Sequence, residues 1–319
     1  MTNSSINGTL WIYDYGNDNS LQPVELVGFP TTRTFHPLGL DVVPATASEP
    51  AYAFVVNLET NTGAVEVFTI SDKAPYKAFY TRTLEHPLTH APNALVAISS
   101  TQLYVSIDHR FTARMPKWKG ILSLVEDVLQ APLAWVTYIE ILPDGTVNYS
   151  KAANFINFAN GVFLSRDGKE FAVVSSARAI LSFYDRDPAT SKLAFREKIA
   201  LPHPPDNLHP DSDGNIVVSG SANLLQLMEF ASGTRTNSPS WITRITRRKP
   251  YPKGTVLPPD DMAAPFDKTS DRIPQNPKYE FTTMYYGDGT QFPSTSAAII
   301  DGQELIGMTL LGRGILHCE

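Results

Sequence analysis

Ala159-Asn160-Gly161-Val162-Phe163-Leu164, the turn Arg166-Asp167-Gly168-Lys169, and Phe171-Ala172-Val173-Val174 read as one antiparallel strand pair. Two short apolar runs flank an Asp-Gly turn, and a lone polar residue, Asn160, opens the first run. Outward from this pair comes a second one: Ile180-Leu181-Ser182-Phe183-Tyr184-Asp185, a polar turn, then Leu193 to Leu201 and Pro202. The outer pair recurs at Thr9 to Asp14 with Leu21 to Phe29 and Pro30, and again at Val65 to Ile70 with Tyr80 to Pro87. The inner pair recurs too, opened by His36, Asn93, and Asp206 with Asn207. Asn93 follows Pro87 by the same interval that separates His36 from Pro30.

Units of about 40 to 50 residues with four strands each mark the blades of a β-propeller. In a circular array of such units the polar openers converge on the axis, where a propeller builds a metal or substrate site. Five inner pairs can be counted, the last running from Ser294 through Asp301-Gly302 to Cys318. The outer pair at the amino terminus has no inner pair before it. The expectation is therefore an all-β, six-bladed propeller forming a single domain over residues 1–319. Its first blade is incomplete, or has its missing strands supplied by the carboxyl terminus.

Two segments break the pattern. Between Lys119 and Tyr138 the apolar residues Ile121, Leu122, Leu124, Val125, Val128, Leu129 and Leu133 fall three and four apart. This predicts a short amphipathic helix inserted over about 117–135, packed on the rim, walling a site or touching lipid. From Pro250 to Pro293 the chain carries eight prolines with little periodicity, which predicts a long loop of the kind that forms lids.

Composition sets limits on partners. Twenty-six basic groups against 32 acidic ones, a net charge of −6, leave no electrostatic footprint for nucleic acid. Cys318 is the only cysteine, so intrachain disulfides and thiolate metal clusters are excluded. No run of apolar residues is long enough to span a bilayer. Met1 to Gly8 lack the apolar core of a signal peptide, and localisation stays open.

With these residues in view, the chain resembles the paraoxonase and arylesterase family. The matching signatures are Phe35-His36-Pro37-Leu38-Gly39, Val55-Val56-Asn57, Asp108-His109-Arg110-Phe111-Thr112, Ala159-Asn160-Gly161, Asp206-Asn207-Leu208 and the terminal Leu316-His317-Cys318-Glu319. The resemblance implies a calcium-dependent six-bladed propeller that hydrolyses lactones and aryl esters, with a small-molecule substrate. It implies Asn93, Asn160, Asp206 and Asn207 as ligands of a catalytic Ca²⁺, an all-oxygen set suited to a hard cation. His36 matches the histidine that helps deprotonate the attacking water, and Asp108 and His109 match polar positions lining the same pocket.

Departures from the family are specific. The Glu that completes the catalytic calcium shell, and the Asp serving a second, structural calcium, fall upstream of Met1. The other structural ligand is replaced by Ala94, so the second calcium is expected to be lost. The histidine that partners the catalytic one is replaced by Leu58, and the cysteine that would pair with Cys318 is absent. These losses motivate two alternatives: a non-hydrolytic propeller enzyme, such as a cyclase or pericyclic catalyst of secondary metabolism, and an inactive binding paralogue.

Overall fold

The computed structural model describes residues 8–59, 63–112, 122–123, 125–126, 128–261 and 272–319. The chain divides into two compact units, Met1–Ile156 and Asn157–Glu319.

The first unit holds two sheets. β1 (Leu10–Asp14), β2 (Ser20–Val27), β3 (Pro37–Val43), β4 (Ala51–Leu58), β5 (Gly63–Ile70) and β6 (Lys77–Leu84) form one, in the order β1-β2-β6-β5-β4-β3. β7 (Pro92–Ser99), β8 (Gln102–Ile107), β9 (Ala134–Ile141) and β10 (Val147–Ile156) form the other, an antiparallel meander. The second unit holds three sheets. They are the meander β11 (Ala159–Leu164), β12 (Glu170–Ser175), β13 (Ile180–Arg186) and β14 (Leu193–Ala200), the meander β15 (Pro205–Pro210), β16 (Ile216–Ser221), β17 (Ser240–Arg247) and β18 (Tyr279–Gly287), and the three-stranded β19 (Thr295–Asp301), β20 (Glu304–Thr309) and β21 (Ile315–Cys318).

All five inner pairs expected from the sequence are present, but among the described residues there are five sheets and no sixth blade. The amino-terminal hairpin does not stand as an incomplete blade awaiting partners. β2 instead pairs in parallel with β6, through Glu25↔Lys77, Leu26↔Ala78 and Val27↔Phe79. The physical reason is an open edge: β6 ends its own meander and presents unpaired backbone groups, which β2 satisfies. The hairpin also buries Leu10 and Val24 in a cluster with Phe35, Phe68 and Ala78, and Lys77 Nζ meets Glu25 Oε2 at 3.1 Å. Nor does the carboxyl terminus lend strands to that hairpin, because β21 closes the β19–β20 sheet.

The insertion near 117–135 is helical at Leu122, Ser123, Val125, Glu126, Val128 and Leu129. Within it, 117–121, 124 and 127 lie outside the described residues, and its far boundary shortens because Ala134 and Trp135 already belong to β9. No described helix is long and apolar enough to cross a membrane. An unforeseen helix, Leu224–Ala231, is capped by the Asn223 side chain accepting from Gln226 N. The Pro-rich stretch is also shorter than expected. Tyr279–Gly287 is strand β18, paired along β17, since its β-branched and aromatic residues suit a pleated surface once the prolines have passed; 262–271 lie outside the described residues.

One irregularity repeats and positions the site. Pro37 faces Asn57, Pro92 faces Ile107, Ala159 faces Ser175 and Pro205 faces Gly220; in each pair a bulge follows before regular pairing resumes at Leu40, Leu95, Val162 and Leu208. A bulge re-aims the side chains it carries. The first bulged residue is Leu38, Asn93, Asn160 and Asp206 in turn, and the second is Gly39, Ala94, Gly161 and Asn207. Glycine is needed where inner strands close up. A Cβ on Gly161 would lie 2.6 Å from Asn207 Cα and 2.7 Å from Asp206 O, and one on Gly39 2.6 Å from Asn93 O.

Candidate functional site

The bulge register sorts the expected site residues. Asn93, Asn160 and Asp206 are true equivalents, with Asn207 one place further on. His36 is not their equivalent: Leu38 holds that position in β3, and His36 corresponds to Ala91 and Phe158. Backbone bonding agrees, since Leu58 N donates to His36 O at 3.0 Å, Asp108 N to Ala91 O at 3.1 Å and Ser176 N to Phe158 O at 3.3 Å. Leu58 and Asp108 thus occupy the same place in consecutive sheets, one apolar and one acidic.

In the first unit the structure brings Asn93, Asp108 and His109 together. Asn93 Nδ2 donates to Asp108 Oδ2 at 3.2 Å, and Asp108 Oδ1 lies 2.9 Å from His109 Nδ1. Both partners of that pair are about one-fifth exposed, at 22% and 16%. The loop that carries them is fastened from two sides. His90 Nε2 reaches Arg110 O at 3.2 Å. The carboxylate of buried Glu126, from the inserted helix, accepts from Arg110 N and Phe111 N, both at 3.0 Å. Nothing in the sequence singled out Glu126, because one acid in an amphipathic helix reads as a solvated residue. His36 is held by its backbone: its N–H donates to Asn57 Oδ1 at 2.7 Å.

In the second unit Asp206 and Asn207 both meet Ser296, and Asn160 joins them through Asp206. Asn160 Nδ2 donates to Ser176 Oγ at 3.0 Å, and Ser176 Oγ donates in turn to Pro205 O at 2.6 Å. Asn160 Oδ1 is buried without a hydrogen-bond partner. The Ser296 and Asn160 side chains hydrogen-bond the Asp206 carboxylate, but burial outweighs them and pushes its pKa up to about 6. Asn207 Nδ2 reaches Ser296 O at 3.2 Å, and Ser219 Oγ donates to the same carbonyl at 2.9 Å. Ser296 was not anticipated from sequence. It sits at the bulged place of β19, between the Thr295↔Thr309 and Ala297↔Met308 pairings, and a serine there carries no distinctive motif.

The second-unit donors fit a hard cation in kind. A buried carbonyl oxygen lacking a partner costs free energy that coordination would recover, and it stands beside a carboxylate whose proton affinity is raised by burial. The set is poor in charge, however: among the described residues no group of three or more His, Cys, Asp or Glu could hold a metal ion.

Repeated antiparallel units, with amide and carboxylate side chains at bulged inner-strand starts, place the chain among all-β repeat proteins. The arylesterase family model matches residues 2–258, and the chain belongs to that family. It is 24% identical to human serum paraoxonase/lactonase 3 over 315 residues, covering 98% of this chain and 77% of the relative. To serum paraoxonase/arylesterase 2 of the dog, Canis lupus familiaris, it is 23% identical over 287 residues, or 90% and 69% of the two chains. Among solved structures, a luciferin-regenerating enzyme aligns with a TM-score of 0.50 at 14% identity over 96% of this chain and 78% of that one, a shared fold.

Proposed function

We propose that this chain, acting as one domain over 1–319, is a calcium-dependent hydrolase of lactones or aryl esters. The observation that carries this is the buried, unpartnered Asn160 Oδ1 beside Asp206, at a bulge position shared with Asn93. Membership of the arylesterase family supports it. Asn160, Asp206 and Asn207 would hold the ion, and Ca²⁺ when bound would supply a Lewis acid for the ester carbonyl and its developing oxyanion. His36 accepts the proton of the attacking water on its imidazole. Its backbone is fixed on both sides by Asn57 and Leu58. The Asp108–His109 pair, joined through Nδ1 and Oδ1 at 2.9 Å, offers a second imidazole for proton transfer. One calcium is proposed, since Ala94 brings no oxygen side chain to the place where the family has a structural ligand.

Asp206→Ala and Asn160→Ala, each checked for folding, test the proposal with a panel of lactones and aryl esters. Loss of turnover in both supports it, and full turnover in either folded variant rejects it. Leu58 on β4 favours one other use of the same residues, non-hydrolytic chemistry, because it deprives His36 of an imidazole partner. Product formation that persists in chelator, with no oxygen from labelled water incorporated, would select that reading.

A further inference from the structure

The bulge register makes the strands of four sheets comparable residue by residue. Val55↔Glu66 in β4–β5 corresponds to Val105↔Thr137, Val173↔Ser182 and Val218↔Thr243. Three sheets place a hydroxyl at that interior position and one places a carboxylate. The companion position varies from sheet to sheet, and an amide stands there only in this one: Asn57 against Ile107, Ser175 and Gly220 in the other three. Both departures fall in the sheet whose inner strand follows His36.

Glu66 and Asn57 are fully buried. Glu66 Oε1 accepts from Asn57 Nδ2 at 2.9 Å, and Oε2 accepts from Thr83 Oγ1 at 2.6 Å. Arg33 Nε lies 3.3 Å from Oε1 and is shared with Glu59. Asn57 Nδ2 also donates to Thr34 O at 2.9 Å. A buried carboxylate is costly to desolvate and is a poor way to gain stability where a threonine suffices elsewhere. What this pair does that a hydroxyl cannot is orient an amide. Two acceptors, Glu66 and Thr34, fix the Nδ2 end of Asn57, so its Oδ1 end must face the His36 N–H.

We infer that Glu66, acting through Asn57, is the positioning residue for His36, taking over the orienting task left by Leu58. The inference rests on His36 serving the proposed hydrolysis, but the positioning can be read without turnover. Glu66→Thr installs the residue found at Thr137 and Thr243, and Asn57→Ser installs the one found at Ser175. In the full-length, ¹⁵N-labelled protein, either variant is expected to speed hydrogen exchange at His36 N–H at least tenfold, with Leu181 and Val218 amides within twofold of the parent. Glu66→Gln keeps an acceptor at Oε1 and is expected to restore most of the protection. In the lactone panel Glu66→Thr should lower kcat at least tenfold with KM within twofold. Unchanged exchange at His36 in a folded Glu66→Thr or Asn57→Ser protein overturns the inference. His36→Gln separates the two ideas. If it retains full turnover while Glu66→Thr still frees the His36 amide, the hydrolytic role of His36 fails and the positioning stands.

Discussion

Asn160 and Asp206 occupy the same bulged place in two inner strands of one unit and are joined by a side-chain hydrogen bond, yet Asn160 keeps its carbonyl oxygen buried and unpartnered. The amide nitrogen is spent on Ser176 and Asp206, so the oxygen is turned toward nothing that the protein itself supplies. Such a group is tolerated where a ligand completes it.

Charge, not the number of oxygens, is what this site lacks. Asn160→Asp should therefore bind Ca²⁺ at least tenfold more tightly than the parent by calorimetry. In chelator it should melt several degrees lower, because two buried carboxylates then repel one another. Equal affinity in parent and variant would remove Asn160 from the ligand set.

Two buried groups titrate against each other. Burial holds His203 well below its ordinary range, at about 4, while Asp206 is raised to about 6. For His203 the unfolded chain binds more protons, so its contribution is full above the unfolded histidine value and is lost as pH falls toward 4. Asp206 has the opposite sign: the folded protein binds more protons, and stability is lost as pH rises from about 4 through 6. Between those values they offset one another. Asp206→Asn should unmask His203, giving calcium-free protein whose urea midpoint falls steadily from pH 6.5 to 4, whereas the parent should be nearly flat there.

The same linkage sets the pH dependence of binding. A ligating carboxylate must be ionised, so calcium affinity should fall as pH drops below about 6, where Asp206 takes up its proton. Calorimetric titrations at pH 5 and pH 7.5 check this, with weaker binding expected at pH 5.

Gly161 is the point at which β11 and β15 close together. An added methyl would sit 2.6 Å from Asn207 Cα, against backbone that cannot yield. Gly161→Ala should cost about 1–3 kcal/mol in urea unfolding, as overpacking does, and should displace Asn207 enough to abolish calcium binding. Gly16→Ala is the comparator for packing, since a Cβ there meets no atom within 4 Å.

Removing the carboxylate behind the first-unit pair tests its part in proton transfer. Asp108→Asn takes away the acceptor of His109 Nδ1–H and the partner of Asn93. The expected result is a drop in kcat/KM of at least tenfold while the urea midpoint stays within a few tenths molar of the parent. Unchanged kcat/KM in the folded variant would leave the pair a structural role.

Much of this was legible in the sequence, and for identifiable reasons. Period-two alternation with Asp-Gly and Asn-rich turns is a local signal, so the five inner pairs and the openers Asn93, Asn160, Asp206 and Asn207 could be read directly. Long-range edge pairing is not local. The parallel β2–β6 contact depends on which edge was left open, and the hairpin therefore read as part of a sixth blade. The offset of His36 from the other openers depends on bulges, which leave no composition behind. β18 was hidden by the prolines before it, and Glu126, Ser296 and Glu66 by belonging to residue types that usually face water or complete a turn. Their roles come from burial and register, which only coordinates supply.

Calcium binding to the purified full-length chain is the most direct test of the account, measured by titration calorimetry with melting followed in parallel with and without chelator. The account predicts saturable binding that raises the melting temperature, as selective binding to the folded state must, and the loss of both effects in Asp206→Ala. No heat of binding at pH 7.5 and the same melting temperature with and without chelator would contradict it.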